Sequence, residues 1–128
     1  MPKLKGDLGP LERAVMEVVW ERDAEEVTVR DVLDTPVGRG HAYTTLMTVM
    51  DRLWRKGYVA RRRVGRAYVY RAKRSREQHV ERLVGQVLAG AGDRQSALLG
   101  FVRSVDEEEL GELRKAIRQV ERERRGKG

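Results

Sequence analysis

The feature that most narrows the fold is a change of apolar period at Gly57. From Ala42 to Lys56, the apolar residues Leu46, Val49, Met50 and Leu53 recur at i, i+3, i+4 and i+7, the repeat of one helix face. Gly57 is a natural residue to follow the end of a helix, because glycine takes the left-handed backbone at little cost. Beyond it the period becomes two. Tyr58 to Arg63 and Ala67 to Arg71 are β-branched, aromatic or long residues around Val64-Gly65-Arg66, the pattern of a β-hairpin. Alternation places Val59, Tyr68 and Tyr70 on or near a core, and the arginines are expected to project outward.

Two shorter helices precede this pair. Leu8 to Glu21 carries Leu11, Val15, Val18 and Val19 on one stripe, flanked by Met16 and Trp20, with Pro10 near the start where a missing N–H costs nothing. Arg22 to Glu26 is a polar break. Thr28 followed by Asp31 resembles a helix cap, Val29, Val32 and Leu33 give a short buried face, and Thr35-Pro36 ends it. Val37 to Gly40 is a turn. Two helices, a longer third helix and a basic hairpin, in that order, specify a winged helix-turn-helix over residues 1–74.

Residues 75–128 read as helical again. Val80, Leu83, Val84, Val87 and Leu88 form one stripe, and Ala89 to Gly92 breaks it. Asp93 caps a helix carrying Ala97, Leu98, Phe101 and Val102. Asp106 and Glu109 open a last helix with Leu110, Leu113, Ile117 and Val120, ahead of a basic tail, Arg122–Lys127. About fifty residues cannot bury three such stripes alone. They either pack back on the first domain or pair with a second chain. The second is expected, because a reader of two DNA half-sites needs a two-fold dimer. The fold class is therefore mainly α, a winged helix with a C-terminal helical dimerisation region.

Charge points to the partner. The net charge is +7, and it is concentrated: Arg52 to Arg76 holds eleven basic residues and no acidic one. A surface that basic attracts polyanions, with nucleic acid or an anionic membrane as the obvious candidates. With the Leu46 stripe inward, Thr44, Thr48, Asp51, Arg52 and Arg55 point outward, with Tyr43, Thr45 and Met47 beside them. Hydroxyls, threonine methyls and guanidinium groups suit the base edges and phosphates of a major groove. Arg61, Arg62, Arg63 and Arg66 on the hairpin would lie along the sugar-phosphate backbone, with Arg71, Lys73 and Arg74 at its base. A dimer making about eight phosphate contacts would show a log–log salt slope of roughly −7.

Other chemistry is disfavoured. Cysteine is absent, which excludes disulfides and thiolate metal sites. His41, in a loop, and His79, early in a helix, are read as surface residues too far apart to share a metal. No nucleophile elbow, acid–base pair or phosphate loop is present, so neither an enzyme nor a cofactor or metal is expected. Met1 to Asp7 has no apolar leader core, and no stretch reaches membrane-spanning length, so a cytoplasmic protein is expected. Two alternatives stand beside a sequence-specific regulator. One is a non-specific architectural or RNA-binding winged helix; the other is a protein-binding module with an acidic partner.

The runs Leu11–Trp20, Val27–Val32 and Ala42–Val59, with Leu99-Gly-Phe-Val102 and Glu107–Leu113, resemble the penicillinase-repressor (BlaI/MecI/CopY) family of winged-helix regulators. The resemblance spans nearly the whole chain and is most specific over Tyr43–Val59. It implies a cytoplasmic homodimer that represses transcription from a palindromic operator, commonly of β-lactamase or other cell-wall-antibiotic resistance genes. It implies interlocked C-terminal helices, and relief of repression when a membrane sensor protease triggers cleavage, here at Gly100–Phe101. Gly100 stands where the best-known members carry asparagine. Met47 stands where some carry arginine, which points to a different operator. The copper-responsive branch uses cysteine pairs that this chain lacks.

Overall fold

The computed structural model describes residues 8–23 and 25–127; the leader-free reading of Met1–Asp7 falls outside them. Eight elements follow in order: α1 (Pro10–Glu21), α2 (Val29–Leu33), α3 (Tyr43–Arg55), β1 (Val59–Val64), β2 (Ala67–Ala72), α4 (Arg76–Ala89), α5 (Arg94–Ser104) and α6 (Glu107–Gly126). The first five form the expected winged helix-turn-helix, and the chain as a whole is mainly helical. The described residues fall into two compact units, one ending at Gly85 and the other beginning at Gln86.

Local chemistry sets each boundary. Pro10 occupies the first turn of α1, and the Glu12 carboxylate reaches back to accept the Gly9 N–H at 2.8 Å. At α2, Thr28 Oγ1 accepts the Asp31 N–H at 3.0 Å while Asp31 Oδ2 accepts the Thr28 N–H at 2.9 Å. α3 ends as a Schellman motif. Gly57 takes φ +85°, its N–H donates to the Trp54 carbonyl at 3.0 Å, and the Tyr58 N–H donates to the Leu53 carbonyl at 2.9 Å.

One apolar core gathers these elements. Val15, Met16 and Val19 of α1, Val32 of α2, Leu46, Met50 and Leu53 of α3, and Val27 and Val59 are fully buried. β1 and β2 pair antiparallel, from Val59 opposite Ala72 to Val64 opposite Ala67, around the two-residue turn Gly65-Arg66. Gly65 has φ +61° and Arg66 does not have positive φ, as a type II′ hairpin turn requires. Val27 adds a rung unforeseen in the sequence: its N–H donates to the Tyr70 carbonyl at 2.7 Å and it accepts the Tyr70 N–H at 2.8 Å. The residues before α2 thereby hold the hairpin against the helices.

Downstream, Ser75, Asp93 and Asp106 cap α4, α5 and α6 through side-chain oxygens. No residue of these three helices is buried. The C-terminus departs from expectation. Arg122–Arg125 are not a tail but the last turn of α6, because Glu and Arg are strong helix formers and basic groups offset the negative end of the helix. Lys127 caps the helix.

Two predictions follow from these contacts. Gly38 is buried in the turn between α2 and α3, where an added Cβ would lie 2.2 Å from the Val32 carbonyl oxygen. Gly38→Ala should therefore cost about 1–3 kcal/mol in urea unfolding. Glu12 is buried, yet its carboxyl lies below the ordinary range. Burial pushes it up, and the Gly9 N–H, the Lys56 ammonium at 2.9 Å and the Arg52 charge more than offset that. The stabilisation it gives is present above the ordinary carboxylate pKa and is lost as pH falls through the depressed one. Glu12→Ala should thus lower stability by about 1–3 kcal/mol at pH 7, with the gap to wild type narrowing in acid. A gap that held constant down to that range would show that charge is not the cause.

Candidate nucleic-acid interface

Because α3 spends its apolar stripe on the core, its other face is open. Tyr43, Thr44, Thr45, Met47, Thr48, Arg52 and Arg55 are all exposed, Met47 at 47%. The Thr48 hydroxyl donates to the Thr44 carbonyl at 3.0 Å, so outward it presents a methyl group and an acceptor rather than a donor. Arg52 stands exposed one turn further on, and its charge helps to lower the Glu12 carboxyl. His41, just before the helix, is exposed as read from the sequence.

The hairpin arginines do not behave alike. Arg62 forks onto Glu26, with both bonds at 2.7 Å. Arg63 lies with its guanidinium 5.7 Å from the Tyr68 ring centroid and remains exposed. Arg66, on the turn, is exposed and makes no ion pair among the described residues. Arg61 corrects the expectation that all of them project outward: its side chain is only 15% exposed. It shares strand parity with Val59, so it points to the side that carries Tyr68 and Tyr70. There its guanidinium lies 3.6 Å from the Trp54 ring centroid and 4.1 Å from that of Tyr68, and Nη1 donates to Asp51 Oδ1 at 2.9 Å.

Electrostatics follows this pairing. Hydrogen bonds from Arg55, at 2.7 Å, and from Arg61 hold the Asp51 carboxyl below the usual range. The Arg62 hydrogen bond does the same for Glu26. Burial pushes the Tyr70 hydroxyl up, against the lowering effect of Arg61. α3 and the hairpin form the walls of an open cleft of about 610 Å³, lined by Tyr43, Met47 and Thr48 on one side and by Arg66 and Tyr68 on the other. Arg30 of α2 also borders it, with its guanidinium 5.6 Å from the Tyr43 ring centroid. Threonine, methionine and arginine groups thus converge on one concave, cationic surface.

At the base of the hairpin Arg71 and Lys73 are exposed, whereas Arg74 is half-buried and its carbonyl accepts the Trp20 indole N–H at 3.1 Å. His79 is not the plain surface residue expected. It is half-buried, with ring centroids 5.1 Å from Trp20 and 5.3 Å from Tyr58, and Arg76 beside it pairs with Glu17. Sequence reasoning also missed Glu26, Arg30 and Trp54. The parity of Arg61 with Val59 was the available signal for its inward side chain; nothing local marks Glu26 as the partner of a residue 36 positions away.

Comparison with known proteins decides the family. The penicillinase repressor family matches the chain over residues 8–119, nearly its full length. The chain belongs to the penicillinase repressor family. It is similar to the transcriptional regulator BlaI of Mycobacterium tuberculosis, with 42% identity over 118 residues that cover 89% of this chain and 85% of that protein. Among solved structures it resembles Mycobacterium tuberculosis Rv0081, with a TM-score of 0.48, 26% identity, and 66% of this chain and 80% of the other covered. It also resembles the solution structure of the DNA-binding domain of the repressor BlaI, with a TM-score of 0.48, 22% identity, and coverage of 59% and 90%. As a member of this family the chain is a DNA-binding transcriptional regulator of the repressor type and not an enzyme. Among the described residues no acidic or histidine cluster could hold a metal, and no helix is long and apolar enough to cross a membrane.

The Glu26–Arg62 pair yields a test of how this repressor meets DNA. Glu26→Gln removes the counter-charge that occupies Arg62. Affinity for any duplex should rise, and the log–log salt slope should steepen by about one. Unchanged affinity and slope would show that Arg62 does not face the backbone.

Proposed function

We propose that this repressor acts as a cytoplasmic homodimer on a palindromic operator. In this reading residues 1–74 are the DNA-binding domain. α3 enters the major groove with Tyr43, Thr44, Thr45, Met47, Thr48, Arg52 and Arg55, while the hairpin lies along the backbone with Arg62, Arg63 and Arg66. Residues 75–128 are the dimerisation region, held by the stripes Val80, Leu83, Val84, Val87 and Leu88, then Leu98, Phe101 and Val102, then Leu110, Leu113 and Ile117. The exposure of Val80, Val84, Val87, Leu98, Phe101, Val102 and Ile117 in the single chain supports that role, since apolar faces so open call for a covering partner. The family and the BlaI relative support genes of antibiotic resistance or the cell envelope as targets. In the same reading, derepression follows cleavage triggered by a membrane sensor protease, with exposed Gly100–Phe101 as the candidate bond.

The observation that carries this reading is the shared cleft, in which the outward face of α3 and the arginine hairpin line one surface. Selection of duplexes from a random pool by the full chain tests it, with a two-fold symmetric sequence as the expected product. Thr48→Ala or Arg52→Ala should cost about 1–3 kcal/mol and relax preference at particular bases. Arg66→Ala should weaken all duplexes alike. Selection of no sequence, with random duplex competing equally, would favour a non-specific architectural protein instead.

A further inference from the structure

One side chain joins the two walls of the cleft between α3 and the hairpin. Arg61 leaves β1 and meets four groups, two from each wall. From α3 come the Trp54 ring and the Asp51 carboxylate; from β2 come the Tyr68 ring and the Tyr70 hydroxyl, close enough to influence the guanidinium. Burial works against the Arg61 charge, and the Asp51 hydrogen bond together with the nearby Tyr70 oxygen outweighs it. A planar, delocalised cation can stack on two rings and bond in its own plane at the same time. Lysine cannot do this, since its ammonium is a compact, strongly hydrated point charge.

We infer that Arg61 is a positioning residue for DNA reading, which fixes the hairpin at one distance and angle from α3. Its charge is used inside the protein and not on a phosphate. Asp51 completes the device, for its two oxygens hold Arg61 across the cleft and Arg55 along the helix. Sequence-specific binding requires base contacts from α3 and backbone contacts from the hairpin together. A hairpin free to swing would meet phosphates over many registers, keeping attraction to DNA in general while losing the advantage of one sequence. The consequence is a separation of roles along one strand: Arg61 sets the geometry, and Arg63 and Arg66 beyond it make contact.

This inference rests on the proposed reading of the cleft as the DNA surface, and the test separates the two. The probes are the duplex that the wild-type chain selects from a random pool and a scrambled duplex of equal length and composition. Arg61→Lys, which keeps the charge, should weaken binding to the selected duplex by tenfold or more. Binding to the scrambled duplex should stay within about threefold, with the salt slope unchanged. Asp51→Asn, which leaves the stacked rings intact, should lower the ratio of selected to scrambled affinity in the same direction. It serves as the readout should the lysine variant prove unfolded by circular dichroism. A merely structural role would lower both affinities together and leave that ratio intact. Binding of either folded variant at the wild-type ratio overturns the inference. So does Arg61→Gln reducing the slope by about one while Arg61→Lys restores it, the behaviour of a phosphate contact. Failure of the wild-type chain to select any duplex would instead defeat the reading on which the inference stands.

Discussion

Everything on the DNA side of this molecule depends on how α3 is seated. Leu46, Val49, Met50 and Leu53 fill one face of the helix and lie buried among Val15, Met16, Val19, Val27, Val32 and Val59. Burying such a face stabilises by roughly 1.5–3 kcal/mol per large side chain, and the helix cannot rotate without exposing it. The opposite face is thereby fixed toward solvent, and the threonines, Met47 and Arg52 inherit an orientation that their own chemistry does not determine. The Schellman end at Gly57 then turns the chain directly into β1, so the hairpin emerges beside the same face.

Charge on this surface is less uniform than the run of basic residues suggests. Of the arginines between Arg52 and Arg76, Arg61 is held by Asp51 and two aromatic rings, Arg62 by Glu26, Arg55 by Asp51 and Arg76 by Glu17. Apart from the half-buried Arg61, exposed pairs of this kind contribute little to stability. Their effect is to restrict which cations meet a phosphate without first giving up a partner; Arg66, at the hairpin tip, is exposed and makes no ion pair among the described residues. The number of counterions released on binding is therefore expected to fall below the number of basic residues.

Much of this was legible in the sequence because local physics determines it. The caps at Thr28, Asp93 and Asp106, the glycine at 57 and the change from helical to alternating period each state a boundary through nearest neighbours, and the structure follows them. The outward face of α3 was legible for the same reason. What could not be read depends on distant pairs. The Val27 rung on Tyr70, the Glu26 clamp on Arg62 and the ring contacts of His79 with Trp20 and Tyr58 all join segments that local spacing does not connect. Arg61 is intermediate: its parity was visible, but an arginine on a basic strand reads as solvent-facing until Trp54 and Asp51 are seen across from it. The extension of α6 through Gly126 is a matter of composition: the basic run suggests a tail, and helix propensity prevails.

The central claim is that the threonine-and-arginine face of α3 lies in the major groove. Methylation interference reads this directly, since dimethyl sulfate modifies guanine N7 in the major groove and adenine N3 in the minor groove. With the selected duplex, interference is expected at guanine N7 positions in each half-site, and Arg52→Ala should abolish it at one position per half-site. Interference confined to adenine N3, unchanged by that substitution, would place the protein in the minor groove and contradict the account.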